Sequence, residues 1–163
     1  PAGAASDGTA IIIHRSMDKN IKKILNNNTF SHLPDSERTV LFLRASSGYI
    51  RAKNSEGTIL GEMLKELGFI NIADNDTNLL ENLSLESIIR LNPYRIFIVQ
   101  TGDDEEAAKI NVENMIKENP AWQSLSAVKE KRIHFLDKSL FNLKPNEKWD
   151  IAYETLCKTL SEQ

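Results

Sequence analysis

The sequence predicts a three-layer α/β/α lobe built on a mostly parallel sheet of about four core strands. Three observations predict it. Segments of helical apolar spacing alternate with short β-branched or aromatic runs. The links between them are short, which is the pattern of a parallel sheet with right-handed crossovers. Ile96 to Val99 is continuously apolar, as a strand covered on both faces must be. The chain then turns polar at Gln100-Thr101-Gly102-Asp103. Loops at the carboxyl ends of such strands are where open α/β sheets bind ligands.

The elements follow in order. Pro1 to Thr9 is small, polar and rich in Gly and Ala. Residues 1–15 are expected to form a tail, foreign to the domain or disordered, and 16–163 the lobe itself. Ile11 to Ile13 is a candidate edge strand on β-branched propensity alone. Ser16 to Leu25 reads as a helix with Ile21, Ile24 and Leu25 on one side, ended by Asn26-Asn27-Asn28. Ser31 to Arg38 is a loop, and Thr39 to Leu43 the first core strand, which leads into the polar loop Arg44 to Tyr49. Thr58 to Leu67 is helical, with Ile59, Leu60, Met63, Leu64 and Leu67 at helical spacing. Gly68 suits the left-handed position after its end. Phe69 to Ala73 is a second strand, and Asp74 to Asn82 a polar loop. Ser84 caps a helix whose apolar side is Leu85, Ile88, Ile89 and Leu91, and Asn92-Pro93 stops it. After the Ile96–Val99 strand, Asp104 to Lys117 is a helix with Ala108, Val112, Met115 and Ile116 inward and acids in its first turn. Trp122, Leu125 and Val128 anchor a compact connection after Asn119-Pro120. Arg132 to Leu136 is the fourth strand and Asp137 to Lys144 a loop. Pro145 opens the last helix, whose buried stripe is Trp149, Ala152, Tyr153, Leu156 and Leu160.

Composition narrows the function. The 163 residues are 40% hydrophobic and 26% charged, enough for one domain with an ordinary core. A net charge of -3, from 20 Lys+Arg against 23 Asp+Glu, argues against nucleic acid as a partner. Cys157 stands alone, so neither an internal disulfide nor a thiolate metal site is expected. No apolar run approaches the ~20 residues of a membrane-spanning helix. Ile11 to Ile13 is too short for a signal-peptide core, and a chain beginning at Pro1 is expected to lack its native start.

No phosphate-binding glycine loop follows any strand, and Gly48, Gly57 and Gly61 have neither fingerprint spacing. His14, His32 and His134 form no close metal-binding pair. Ser46 and Ser47 lack the Gly-x-Ser-x-Gly elbow of a hydrolase nucleophile. No catalytic residue, metal site or cofactor is therefore expected, and the chain reads as a non-enzyme. Asp103-Asp104 after the third strand matches the placement of a receiver phospho-acceptor, although helix-start carboxylates account for the same pair. The segment Leu41 to Asn54, LFLRASSGYIRAKN, brings Arg44, Arg51 and Lys53 together with Tyr49, Ser46 and Ser47 just past a strand end. Cations beside an aromatic suit an anionic, partly aromatic small ligand. Phe141 and Lys144 give the loop 138–144 a similar character.

Three stretches carry a resemblance: LFLRASSGYIRAKN, NLSLESIIRLNP (Asn82 to Pro93) and ENPAWQSLSAVKEKRIHFLDKSLFNLKPNEKW (Glu118 to Trp149). In this order they resemble the carboxyl-terminal lobe of ABC-transporter substrate-binding proteins for iron complexes, the family that binds ferric siderophores, haem and cobalamin. The resemblance spans roughly Ser16 to Leu160. It implies one α/β lobe of a two-lobe protein, with the amino-terminal lobe and half the ligand site outside this chain. It implies an extracytoplasmic, periplasmic or lipoprotein location and delivery of an iron-chelate ligand to an ABC permease. Glu86 matches the acidic position that docks on permease arginines. Ligand contacts are expected from Ser46, Tyr49, Arg51, Lys53, Gln100, Gly102, Phe141 and Lys144. The third-strand loop offers no His, Met or Tyr to ligate haem, so a ferric siderophore is the expected cargo. The alternatives are a small receiver-like signalling or interaction domain with Asp103 as its acid, and an enzyme acting on a nucleotide-like substrate.

Overall fold

The computed structural model describes residues 7–142 and 146–162, with backbone only for 7–16 and 146. The helices are α1 Asp7–Asn27, α2 Ile59–Glu66, α3 Thr77–Asn82, α4 Leu85–Leu91, α5 Glu105–Glu118, α6 Pro120–Gln123, α7 Ser126–Lys129, α8 Lys138–Phe141 and α9 Trp149–Ser161. The strands are β1 Thr39–Ala45, β2 Ile50–Ala52, β3 Ile70–Asn71, β4 Arg95–Gln100 and β5 Ile133–Leu136. The sheet runs β2-β1-β4-β5, and β3 pairs with the amino-terminal half of the β1 edge that β2 uses at its other end. The β1–β3, β1–β4 and β4–β5 pairs are parallel. Only β2 is antiparallel. The expected mostly parallel α/β lobe is the observed architecture, with a fifth strand added.

Alternation along the strands divides the interior into two cores, because successive side chains point to opposite faces. Val40, Phe42, Phe97 and Val99 face α2 and α9, where Leu60, Leu64 and Leu156 are wholly or nearly wholly buried. Ile21, Ile24 and Leu25 of α1 close that side. Leu41, Leu43, Ile96 and Ile98 face Leu79, Ile88, Val112 and Trp122 on the helices from α3 to α6. Every residue of β4 is buried, as its unbroken apolar run requires. Cys157 lies in the first core, where burial pushes its thiol up to about 11.

Local chemistry sets the helix ends. Ser84 Oγ accepts from Ser87 N–H at 3.3 Å to start α4. Asp104 accepts from Ala107 N–H at 2.9 Å to start α5. Gly68 takes φ +87 after α2, where a side chain would be strained.

Several expectations are corrected. Ile11 to Ile13 lies inside α1, which runs through the 15/16 position, so it adds no edge strand. The second strand shrinks to Ile70-Asn71, because Ile72–Asn75 turns into a 3-10 helix. The stretch 74–82 holds α3, started by Asp76 accepting from the Asn78 and Leu79 amides. In α4 only Ile88 is fully buried; Ile89 and Leu91 are exposed because the short helix rolls over the flank. The stretch Leu41 to Asn54, expected to be a loop past the first strand, is largely a hairpin made by β1 and β2. Pro145 falls outside the described residues.

Candidate functional site

β1 lies between β2 and β3 on one side and β4 on the other, so the strand order reverses between β1 and β4. The crevice beyond their carboxyl ends is the ligand position in this class of sheet. A cavity of about 340 Å³ opens there, lined among others by Ala45, Gln100, Glu105, Lys109, Phe135 and Asp137.

The hairpin builds the basic side of this end. Arg44 pairs with Arg51 directly across the antiparallel ladder. Residues so paired project to the same face. Parity with Phe42 places that face on the α2 and α9 side. Lys53 N–H donates to Phe42 C=O at 2.9 Å, which continues the same register and brings a third cation into line. Neither arginine has a carboxylate in ion-pairing reach among the described residues. Arg44 Nε is shut from water without a partner. Arg51 lies 4.9 Å from the Tyr49 ring centre. Arg51 is otherwise exposed, and the Tyr49 face is its cation–π partner.

The remaining loops are tied together. Tyr49, 40% exposed, shares a 2.8 Å hydroxyl–hydroxyl bond with Thr101. Thr101 Oγ1 also donates to Ala45 C=O at 3.3 Å. Ser46 Oγ accepts from the Gly48 and Tyr49 amides, both at 3.2 Å, so its main task is to hold the turn. Gln100 is buried; its amide, oriented to satisfy both groups, donates to Glu105 Oε1 and accepts from Glu105 N–H, each at 2.9 Å. Gly102 takes φ +83 and its carbonyl accepts from Lys138 Nζ at 2.6 Å, bridging the β4 and β5 ends.

The eight expected ligand residues therefore divide. Tyr49, Arg51 and Gly102 stand at the carboxyl ends with accessible surface, whereas Lys53, partly exposed, lies opposite Phe42 in the middle of β1 and is set back from that end. Ser46 and Gln100 are at the same end but shape it from within. Phe141 is a correction: it is wholly buried in the α2/α9 core, because α8 turns its last residue inward as a packing anchor. Lys144 lies outside the described residues. Arg44, Thr101 and Lys138 join the site without having been singled out as contacts. Arg44 was visible as the first cation after an apolar strand; Lys138 carried no signal, since its partner carbonyl is 36 positions away.

Glu86 is exposed in the first turn of α4 and makes no ion pair among the described residues. α4 runs toward the start of β4, so its amino terminus lies at the carboxyl-end side of the sheet. Asn82 and Leu83, just before its cap, line one groove with Gly48 to Ile50. For the receiver alternative, Asp103 is exposed beyond β4, but the end of β1 carries Arg44 and Ser46 in place of the acids a Mg²⁺ site needs. Among the described residues no cluster of three His, Cys, Asp or Glu could hold a metal.

Residues 31–140 match the family model described as periplasmic binding protein. The iron-uptake system-binding protein of Bacillus subtilis is 34% identical over 103 residues, 61% of this chain and 31% of that relative. The haem complex of S. aureus IsdE superposes with TM-score 0.76 at 20% identity, over 92% of this chain and 56% of that one. B. subtilis FeuA with ferri-bacillibactin gives TM-score 0.68 at 22% identity, over 91% of this chain and 52% of that one. These two likenesses establish the fold. The chain spans little more than half the length of the solved relatives and less of the curated one. With a match over most of its length and a lobe of the same architecture, the chain belongs to the periplasmic binding protein family.

Proposed function

We propose that this chain is the carboxyl-terminal lobe of the substrate-binding protein of an iron-uptake ABC importer, and that it captures an anionic iron chelate, a ferric siderophore. The arginine pair carries this reading. Like charges directly opposite on a ladder are destabilising, in a setting where pair effects run to about 0.2–1 kcal/mol. An anion at that end turns the repulsion into attraction, through charge-assisted bonds of roughly 1.5–3 kcal/mol each before solvent screening. The Tyr49 face beside Arg51 suits the aromatic rings of a catecholate chelate. The iron stays in its chelate, so the lobe needs no metal ligand of its own. His32 lines a pocket with Tyr94 and Arg95 at the opposite end of β4, and His134 packs on Phe97 in mid-sheet. Neither is placed to ligate haem at the strand ends. The relatives named for iron uptake and ferri-bacillibactin support the same ligand class.

The ligand is held between this wall and a second lobe, outside the cytoplasm, by a periplasmic or lipid-anchored protein. Among the described residues no helix is long and apolar enough to cross a membrane. Glu86, outward and unpaired beside the cleft mouth, docks the lobe on a basic residue of the permease.

The test uses the protein carrying both lobes. A competition titration with a ferric tricatecholate, a neutral ferric hydroxamate and haem is expected to favour the tricatecholate. Arg51→Ala should weaken that chelate about tenfold, the equivalent of ~1.4 kcal/mol. Preference for the hydroxamate or haem, or an Arg51→Ala variant of unchanged affinity, overturns the ligand class.

A further inference from the structure

The hydrogen bonds at the carboxyl end of β1 have a fixed direction. From it we infer that Thr101 is a positioning residue of the chelate wall, which holds Tyr49 and fixes the polar group that Tyr49 presents to the ligand. This role rests on the chelate-binding reading above and adds the residue that sets the donor pattern of the wall.

Thr101 is the first residue after β4 and is bound twice to the end of β1. Its N–H donates to Ala45 C=O at 2.7 Å, and its Oγ1 donates to the same carbonyl at 3.3 Å. A hydroxyl carries a single proton. With that proton given to Ala45, Thr101 Oγ1 can only accept from Tyr49, so Tyr49 donates the 2.8 Å bond between the two hydroxyls. Tyr49 then has no proton left for a ligand. Its oxygen keeps an accepting position, whereas the Arg51 guanidinium beside its ring offers donors only. The two side chains present a divided surface. Arg51 suits the anionic oxygens of a chelate, and Tyr49 suits an N–H on the chelate's scaffold, such as an amide beside a catechol ring.

The rest of the turn does not perform this task. Ser46 N–H donates to Tyr49 C=O at 2.9 Å, and Ser46 Oγ accepts from the Gly48 and Tyr49 amides. Asn111 of α5 donates to Ser46 C=O at 2.9 Å. All of these bonds set the main chain and leave the Tyr49 ring to its own rotamers. Among the described residues, Thr101 Oγ1 is the one hydrogen-bond partner of the Tyr49 hydroxyl. Without it a ring that is 40% exposed is free to turn in solvent. Binding must then order that ring, at a cost in affinity.

The experiment titrates the two-lobe protein with a ferric tricatecholate. Thr101→Val keeps the β-branched shape, removes the hydroxyl and should weaken binding about fivefold, the loss expected for one hydrogen bond. Thr101→Ser keeps the hydroxyl and should stay within about twofold of wild type. Tyr49→Phe removes the same bond from the other side. In the Tyr49→Phe background, Thr101→Val should add nothing, because two residues that act through one contact are not additive. A role in building the turn predicts the same loss whether position 49 carries Tyr or Phe, and that result overturns the inference. Arg51→Ala is run in parallel. If Arg51→Ala weakens binding and Thr101→Val does not, the positioning role falls and the chelate-binding reading stands. If Thr101→Val weakens binding only where Tyr49 is present and Arg51→Ala has no effect, Thr101 keeps its role and the arginine reading falls. If neither has an effect, both fall.

Discussion

Gly61 shows how a single atom is fixed by contacts far from its own helix. On propensity, a glycine inside α2 costs about 1 kcal/mol against alanine, so Gly61→Ala would be an obvious improvement. The structure reverses the sign. A Cβ there would lie 2.3 Å from Thr58 Oγ1, 2.7 Å from Ser55 Cα and 2.8 Å from Asn54 O. Two of the three are backbone and cannot swing aside. That backbone is itself clamped, since Asp74 accepts from both Ser55 N–H at 2.6 Å and Ser55 Oγ at 2.8 Å. Overpacking of this kind costs roughly 1–3 kcal/mol, so Gly61→Ala should lower the chemical-denaturation midpoint of this chain. An unchanged or raised midpoint would show that the 54–58 segment yields. Ser84 and Gly68 were legible in the sequence because their work is local: a cap and a left-handed end. Gly61 was not, because what excludes a Cβ includes a loop pinned from β3 onward.

At the scale of elements, legibility followed length and periodicity. β4 and α5 stood out because an unbroken apolar run and a helical stripe each admit one reading. β2 was missed, since its three residues alternate around an arginine and pair only because β1 offers a free edge. α1 overrode the β propensity of Ile11 to Ile13, because 21 residues of continuous helix outweigh a three-residue preference. The hairpin is also where element and function conflict. Arg44 is half-buried, faces Arg51 and leaves Nε unpartnered. Arg44→Met keeps the apolar stem and removes the charge and the orphan donor. It is expected to stabilise this chain by about 1 kcal/mol, the scale of an unsatisfied buried group. In the two-lobe protein the same change should weaken the anionic chelate. A destabilised Arg44→Met would mean that the guanidinium serves the fold instead of the ligand.

Across the whole molecule the two ends of the sheet do different work. The carboxyl ends carry open loops and the arginines Arg44 and Arg51, which make no ion pair among the described residues, and the start of α4 with Glu86 lies on the same side. The amino end is a clamp: Arg95, buried in β4, donates to the Leu160 and Glu162 carbonyls at 3.1 and 3.2 Å and closes the last turn of α9. Arg132 covers the Tyr94 ring at 3.8 Å beside it. His134 lies between clamp and core, its ring 5.2 Å from Phe97 and its Nε2 buried without a partner. Burial, with the Arg95 charge, holds the His134 pKa below its ordinary 6.5, while Glu162 opposes them. A base whose folded pKa lies below its unfolded value binds fewer protons when folded, so stability falls with pH. The loss begins as pH drops through the unfolded value near 6.5 and levels off below the folded one. The thermal midpoint of this chain should therefore decline between neutral pH and mild acid. His134→Phe preserves the contact with Phe97, cannot titrate and removes the unpartnered nitrogen. It should raise the midpoint and flatten its pH dependence over that interval. The proposed chelate site is at the other end of the sheet, so ligand affinity in the two-lobe protein should not change. If His134→Phe retains the full acid sensitivity, the protonation that loosens the clamp lies elsewhere.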